Sequence, residues 1–263
     1  MVKINNLFNN TNMKEIDTKD GIHVFEFQKD LSLSPENAIV AYYASEMNIK
    51  KRQVLIELNG RTFTLSAGSM QWMIGDVKMG SGVKGIGDFL GKTISAKITK
   101  ETTIKPEYSG SGKIMLEPTY RYILLEDVEK WNGLVLDDGL FLACDSRIKQ
   151  KVVARTNLSS AVLGNEGLFN LCLEGQGIAI LESPVPKEEL IEFELDNDIV
   201  KIDGNMAIAW SNTLKFTVEK SGKSLLGSAI SGEGLVNVFQ GSGKILMAPI
   251  GINSRAPIGI NGK

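Results

Sequence analysis

GSGVKG, from Gly80 to Gly85, fits the G-x-G-x-x-G spacing that lets a backbone approach a dinucleotide pyrophosphate. That chemistry requires a strand before the glycines and a helix after them, so that the helix N-terminus meets the phosphates. Here Met79 ends a mixed segment, and GDFLGKTISAKITK carries no sustained helical apolar period, so the stretch reads as a turn. Gly91-Lys92-Thr93 and Gly222-Lys223-Ser224 resemble the end of a phosphate loop, but Ile86 and Thr217 stand where that loop needs its first glycine. His23 is the only histidine, too few for a zinc site of ordinary type. Cys144 and Cys172 share no metal or redox spacing and sit in apolar runs, where each reads as a small buried hydrophobe. Asp137-Asp138 precedes Gly139 and reads as a turn former rather than an acid–base pair. No G-x-S-x-G nucleophile elbow occurs in a strand-to-helix context.

One charged cluster remains. Lys50-Lys51-Arg52 opens a stretch with a basic bias (Lys78, Lys84, Lys92, Lys97, Lys100, Lys105), while Glu188, Glu189, Glu192, Glu194, Asp196 and Asp198 make a later stretch acidic. Solvated faces explain such runs most simply. The sharper readings are head-to-tail contact between subunits, or an anionic partner at Lys50, Lys51 and Arg52. Aromatic residues that would stack bases are scarce among these lysines, which argues against nucleic acid.

The elements that would have to position any site come from a repeat. GSGKIMLEP (Gly110 to Pro118), GQGIAILESP (Gly175 to Pro184) and GSGKILMAP (Gly241 to Pro249) share a glycine pair, an apolar run and a closing proline. Their leading glycines lie 65 and 66 residues apart, and their prolines 66 and 65. A fixed period points to one structural unit copied in tandem. NEGLFNLCLEG before the second tag matches GEGLVNVFQG before the third, with one extra residue that implies a bulge or a register change at a strand end. Further upstream stand AGSMQWM from Ala67, DGLFLAC from Asp138 and DGNMAIAW from Asp203.

Between these landmarks the turn signals are dense: Asp20-Gly21, Asn59-Gly60, Asn132-Gly133, Asp138-Gly139 and Asp203-Gly204. QVLIEL, GLVL, IEFEL and LKFTV read as strands, and in IEFEL the glutamates alternate outward from Ile191, Phe193 and Leu195. Helical turns are expected to be few and short, at GIGDFLGK from Gly85, SSAVLGN from Ser159 and KSLLGSAI from Lys223. Near the N-terminus, Ile22 to Phe27 reads as a strand and Glu36 to Met47 is ambiguous, with Pro35 between them. The expected fold is all-β: three tandem β-sandwich-like units in a pseudo-threefold arrangement around a shared interior, with few short helices. The expected organisation is an N-terminal arm (1–48), one body of three repeats (49–118, 119–184 and 185–250) and a flexible C-terminal tail (251–263).

Composition bounds the rest. A net charge of −2 with 23% charged residues excludes a global bias toward nucleic acid. The 27 glycines exceed the usual share of roughly 7%, which suits a chain with many tight turns. The Asn-rich opening MVKINNLFNNTN is not a basic-then-apolar leader, and the longest apolar run, AIVAYYA from Ala38, is far shorter than the roughly 18 residues of a membrane span. The chain therefore reads as cytoplasmic, in a reducing compartment.

The segments AGSMQWM, GSGKIMLEP, LDDGLFLACD, GNEGLFN, LESPVP, LDNDIVKIDGN and SGEGLVNVFQGSGK, spanning Ala38 to Pro249, resemble the altered-inheritance-of-mitochondria family. The resemblance implies a fold similar to the tryptophan RNA-binding attenuation protein. It also implies a non-enzymatic scaffold, since the mitochondrial member is associated with inner-membrane organisation and respiratory-complex assembly. It offers no catalytic motif to carry over. Sequence reasoning thus assigns no catalytic residue, cofactor or metal, and expects a non-enzymatic homo-oligomeric scaffold or adaptor with a protein partner. The alternative is a small-ligand or nucleic-acid binding module that uses grooves between repeats or the Lys50-Lys51-Arg52 cluster.

Overall fold

In a computed structural model the described residues are 2–80, 105–154, 169–203, 206–220 and 235–250. They are mostly β, in two antiparallel sheets. Met13–Lys19 (β1) and Ile22–Phe27 (β2) form a hairpin whose turn, Asp20-Gly21, has φ of 50° and 75°. Both central residues of a type I′ turn need positive φ, which Asp-Gly supplies at little steric cost. Asn59-Gly60, at 48° and 82°, does the same between Arg52–Glu57 (β3) and Thr62–Leu65 (β4). Between β2 and β3 the ambiguous N-terminal stretch is a helix, Ala38–Glu46 (α1), entered through a 3-10 turn that begins at Pro35. Proline fits a helix entrance because its missing N–H is an orphan there anyway.

The chain continues as Met70–Gly80 (β5), Glu107–Leu116 (β6), Tyr122–Asp127 (β7), Leu134–Leu136 (β8), Phe141–Asp145 (β9) and Lys149–Ala154 (β10). Then follow Phe169–Glu174 (β11), Ile178–Ser183 (β12), Ile191–Asp203 (β13), Ala207–Ser211 (β14), Lys215–Lys220 (β15) and Leu235–Met247 (β16). The first sheet runs β1-β2-β3-β6-β4-β9-β12-β7, with β5 on β6. The second runs β10-β11-β8-β14-β16-β13, with β15 on β16. The expected helical turns after Gly85, Ser159 and Lys223, the turn at Asp203-Gly204 and the tail 251–263 lie outside the described residues.

Each tag lies on, or leads into, a strand flanked on both sides. β6 pairs with β3 and β4 on one side and β5 on the other. The β11–β12 run pairs with β8 and β7 on one side and with β10 and β9 on the other. β16 pairs with β13 on one side and with β14 and β15 on the other. A register shift falls at Met70/Trp72, Phe141/Ala143 and Ala207/Ala209, each opposite the end of a tag. The extra residue of the second copy falls at a strand end: β11 and β12 are separated at Gly175–Gly177, where β16 runs through.

The pairings also join one segment to the next. β4 meets β9 through Phe63↔Asp145, Thr64↔Cys144 and Leu65↔Ala143. β8 meets β14 through Leu134↔Ser211, Val135↔Trp210 and Leu136↔Ala209. Packing follows the same chain of contacts rather than one interior shared by all three segments. Leu65, Leu142 and Ile180 belong to one buried cluster, while Leu136, Leu181, Ala209 and Leu246 belong to another that fills the space between the two sheets. Two further clusters sit at the ends, one with the N-terminal arm and one around Trp210, Phe216 and Phe239. Among the described residues no cluster and no strand pair links the first segment to the third, so the closed pseudo-threefold interior is replaced by a row with two joints. The reason is topological. A closed ring needs three joints, and among the described residues only two pairs of edges meet.

Candidate functional site

The Lys50-Lys51-Arg52 cluster lies where the arm crosses the first sheet, and every charge in it has a partner. Strand register puts Glu26 on β2 directly opposite Arg52 on β3. The Arg52 side chain is 2% exposed, and its Nη2 donates to Glu26 Oε2 at 2.7 Å, to Asn48 Oδ1 at 2.9 Å and to the Asn48 carbonyl at 3.2 Å. Nη1 donates to the Lys50 carbonyl at 3.1 Å, and the guanidinium lies 4.2 Å from the centre of the Tyr122 ring. A buried guanidinium needs this saturation, since an unpaired charge away from water costs several kcal/mol. Lys50 Nζ shares the same carboxylate, at 3.3 Å from Glu26 Oε1.

Lys51 points to the other side of its strand. Its Nζ lies 3.0 Å from Asp30 Oδ1 and 4.9 Å from the centre of the Phe27 ring. Asp30 also accepts from Ser32 Oγ at 2.7 Å and from the Tyr120 hydroxyl. Burial alone would raise the Asp30 pKa, but the bonds from Tyr120, Ser32 and Lys51 outweigh it and bring the carboxyl down to about 2. The Tyr120 hydroxyl is pushed well above its usual range, first by burial and then by donating to that carboxylate. The triplet singled out for an anionic partner thus spends its charge on Glu26 and Asp30 of the same chain.

Above this base sits α1. Nine residues are too few to hold a helix in water unaided, and the helix is tied down by the Ser45 hydroxyl donating to the Gln28 carbonyl at 2.9 Å. A shallow cleft open to solvent lies between it and the strands, lined by Phe27, Asp30, Ala41, Ala44, Lys51 and Tyr120 among others. Ala41, Ala44 and Ser45 face inward. The large residues face out: Ile39, Val40, Tyr42, Tyr43 and Met47 are 46–74% exposed, and no residue of α1 is buried. Leu31, between β2 and α1, is also 75% exposed. Contiguous exposed apolar surface of this kind marks interaction sites.

The other residues weighed in the sequence are placed as follows. Cys144 and Cys172 are free, buried thiols, each pushed up to about 12 chiefly by burial. His23 lies against Glu15, with Nδ1 at 2.8 Å from Oε1, and edge-on to Phe8. Asp137 is buried beside the half-exposed Asp138, ahead of Gly139 at φ 81°. Of GSGVKG only Gly80 is described; Gly91-Lys92-Thr93 and Gly222-Lys223-Ser224 lie outside the described residues. Among the described residues no group of three His, Cys, Asp or Glu side chains could hold a metal ion, and no helix is long and apolar enough to cross a membrane. Sequence reasoning missed Glu26, Asp30, Tyr120 and Tyr122. The signal available for α1 was AIVAYYA itself, an apolar run with neither a helical nor an alternating period.

Residues 45–250 match the family model described as Mitochondrial biogenesis AIM24. The chain belongs to this family. An uncharacterised protein of Streptococcus pyogenes serotype M6 is 28% identical over 214 residues, spanning 77% of this chain and 84% of that one. The crystal structure of a Streptococcus pyogenes protein superposes with a TM-score of 0.57 at 24% identity, covering 78% of this chain and 91% of that chain. The AIM24 match begins at Ser45, so it takes in the Lys50-Lys51-Arg52 base and only the last turn of α1.

Proposed function

We propose that this chain is a non-catalytic scaffold or adaptor of the cytoplasm, built from one β module in three copies, that engages a protein partner through the apolar face of α1. Support for the module comes from the three tag strands, which are flanked by partners in the same order and interrupted opposite the tag at matching positions. Support for the scaffold role comes from one observation above all: the large apolar side chains of α1 face water while Ala41, Ala44 and Ser45 face the body. Burying each such side chain under a partner is worth about 1.5–3 kcal/mol. Two tyrosines within the patch are of the type enriched at interface hot spots.

A protein partner fits this surface better than an anionic one. The nearby Lys50, Lys51 and Arg52 are held by Glu26 and Asp30, and Glu36 and Glu46 flank the helix with negative charge. Pull-down from native lysate with wild type and with Ile39→Asp/Tyr43→Asp, compared with Lys130→Gln at an exposed position after β7, tests the reading. The expected result is one enriched partner, lost with the α1 double variant and kept with Lys130→Gln. Equal capture by all three, or no partner, would overturn it.

A further inference from the structure

We propose that the chain assembles head to tail, β13 of one copy pairing with β5 of the next and so making between copies the joint that each chain makes twice within itself. The inference rests on the module reading above, which identifies the edges concerned. Within the chain, the leading strand of one segment pairs with the second strand of the following segment: β4 with β9, and β8 with β14. Register then places three sets of residues in matching positions. Opposite the tag isoleucine or its counterpart (Ile114, Ala179, Ile245) stand Met73, Cys144 and Trp210 on the second strands. Opposite the residue two before each tag (Tyr108, Leu173, Phe239) stand Phe63, Leu134 and Val200 on the leading strands.

Two of the three possible joints are made and buried. Cys144 is fully buried against Thr64, and Trp210 is 4% exposed against Val135. The remaining edges belong to β13, at Val200–Ile202, and to β5, at Trp72–Ile74. Among the described residues no strand pairs with either outer edge. Met73, the counterpart of Cys144 and Trp210, is 40% exposed, and Ile199 beside Val200 is 49% exposed. An open strand edge with apolar side chains is a template for another strand. The two edges are of complementary kind, since one is a leading strand and the other a second strand. A contact between unlike surfaces is heterologous, so it propagates from copy to copy and closes into a ring or extends as a filament.

The internal joints fix the register between copies. Thr64↔Cys144 and Val135↔Trp210 translate to Lys201↔Met73. Directly opposed residues of antiparallel strands have Cα atoms about 4.5–5.5 Å apart, within the span a disulfide bridges. Met73→Cys and Lys201→Cys, prepared as separate full-length proteins carrying different tags, are mixed and gently oxidised. The proposal expects a covalent dimer holding one chain of each kind, wild type at a multiple of the chain mass by light scattering, and a shift toward single chains in Met73→Lys. A single-chain mass with no mixed dimer would overturn it, whatever segment then covers the edges. So would a double variant that closes its disulfide within one chain; there the module reading survives while head-to-tail assembly falls. Failure of the internal Thr64–Cys144 proximity would bring down the module reading itself.

Discussion

At the scale of single residues, the N-terminal arm is fastened by charges that look, in the linear sequence, like a binding patch. Lys50-Lys51-Arg52 was visible as a cluster, but its partners were not. Glu26 stands opposite Arg52 only once β2 and β3 are paired, and Asp30 meets Tyr120 across 90 residues of chain. The Asp30 network has a testable pH signature. Its carboxyl titrates at about 2 in the folded chain against an ordinary 3.8, so its contribution to stability is fully present above about pH 4 and is lost as pH falls toward 2. Asp30→Asn is therefore expected to be less stable than wild type at pH 7 in urea unfolding, with the gap closing between pH 4 and 2. A gap that stays constant over that range would contradict the network.

At the scale of elements, the tag glycines have a steric reason. A Cβ on Gly112 would lie 2.0 Å from the Ile74 carbonyl oxygen of β5, and one on Gly110 would lie 2.1 Å from that of Asp76. The second glycines of the other tags crowd matching positions, Gly177 against Asp145 and Gly243 against Ser211. The tag was legible from sequence because this close approach tolerates no side chain. Its cause was not, since it lies in a neighbouring strand. Gly112→Ala is expected to destabilise by about 3 kcal/mol or more, because backbone must shift to admit the methyl group. Gly60→Ala meets nothing within 4 Å and strains only φ at +82°, so about 1–2 kcal/mol is expected. Urea midpoints of the two variants decide this, and an equal or reversed order would contradict it. The strands at Gln53, Gly133, Ile191 and Leu214 were legible from alternation and Asp/Asn-Gly turns. α1 was not, because its apolar residues follow neither a helical nor an alternating period.

At the scale of the whole molecule, the repeat was readable but its arrangement was not. Three tags at a near-constant spacing suggest a ring around one interior, yet among the described residues the segments are strung in a row by two joints, with the arm on the first. Tag spacing carries no information on which edges meet. Whether a ring closes depends on strand edges that short alternating runs leave unspecified. Among the described residues that row leaves an exposed apolar helix on the arm and one edge each of β5 and β13 without a strand partner.

The claim beneath all of this is that one joint, in one register, occurs twice in the chain. Leu65→Cys with Ala143→Cys at the first joint, and Leu136→Cys with Ala209→Cys at the second, place thiols opposite one another at matching positions. Intact-mass measurement after oxidative refolding is expected to find an intramolecular disulfide in both proteins, each retaining its native circular dichroism. Free thiols at either joint in folded protein would show that the two joints are not alike.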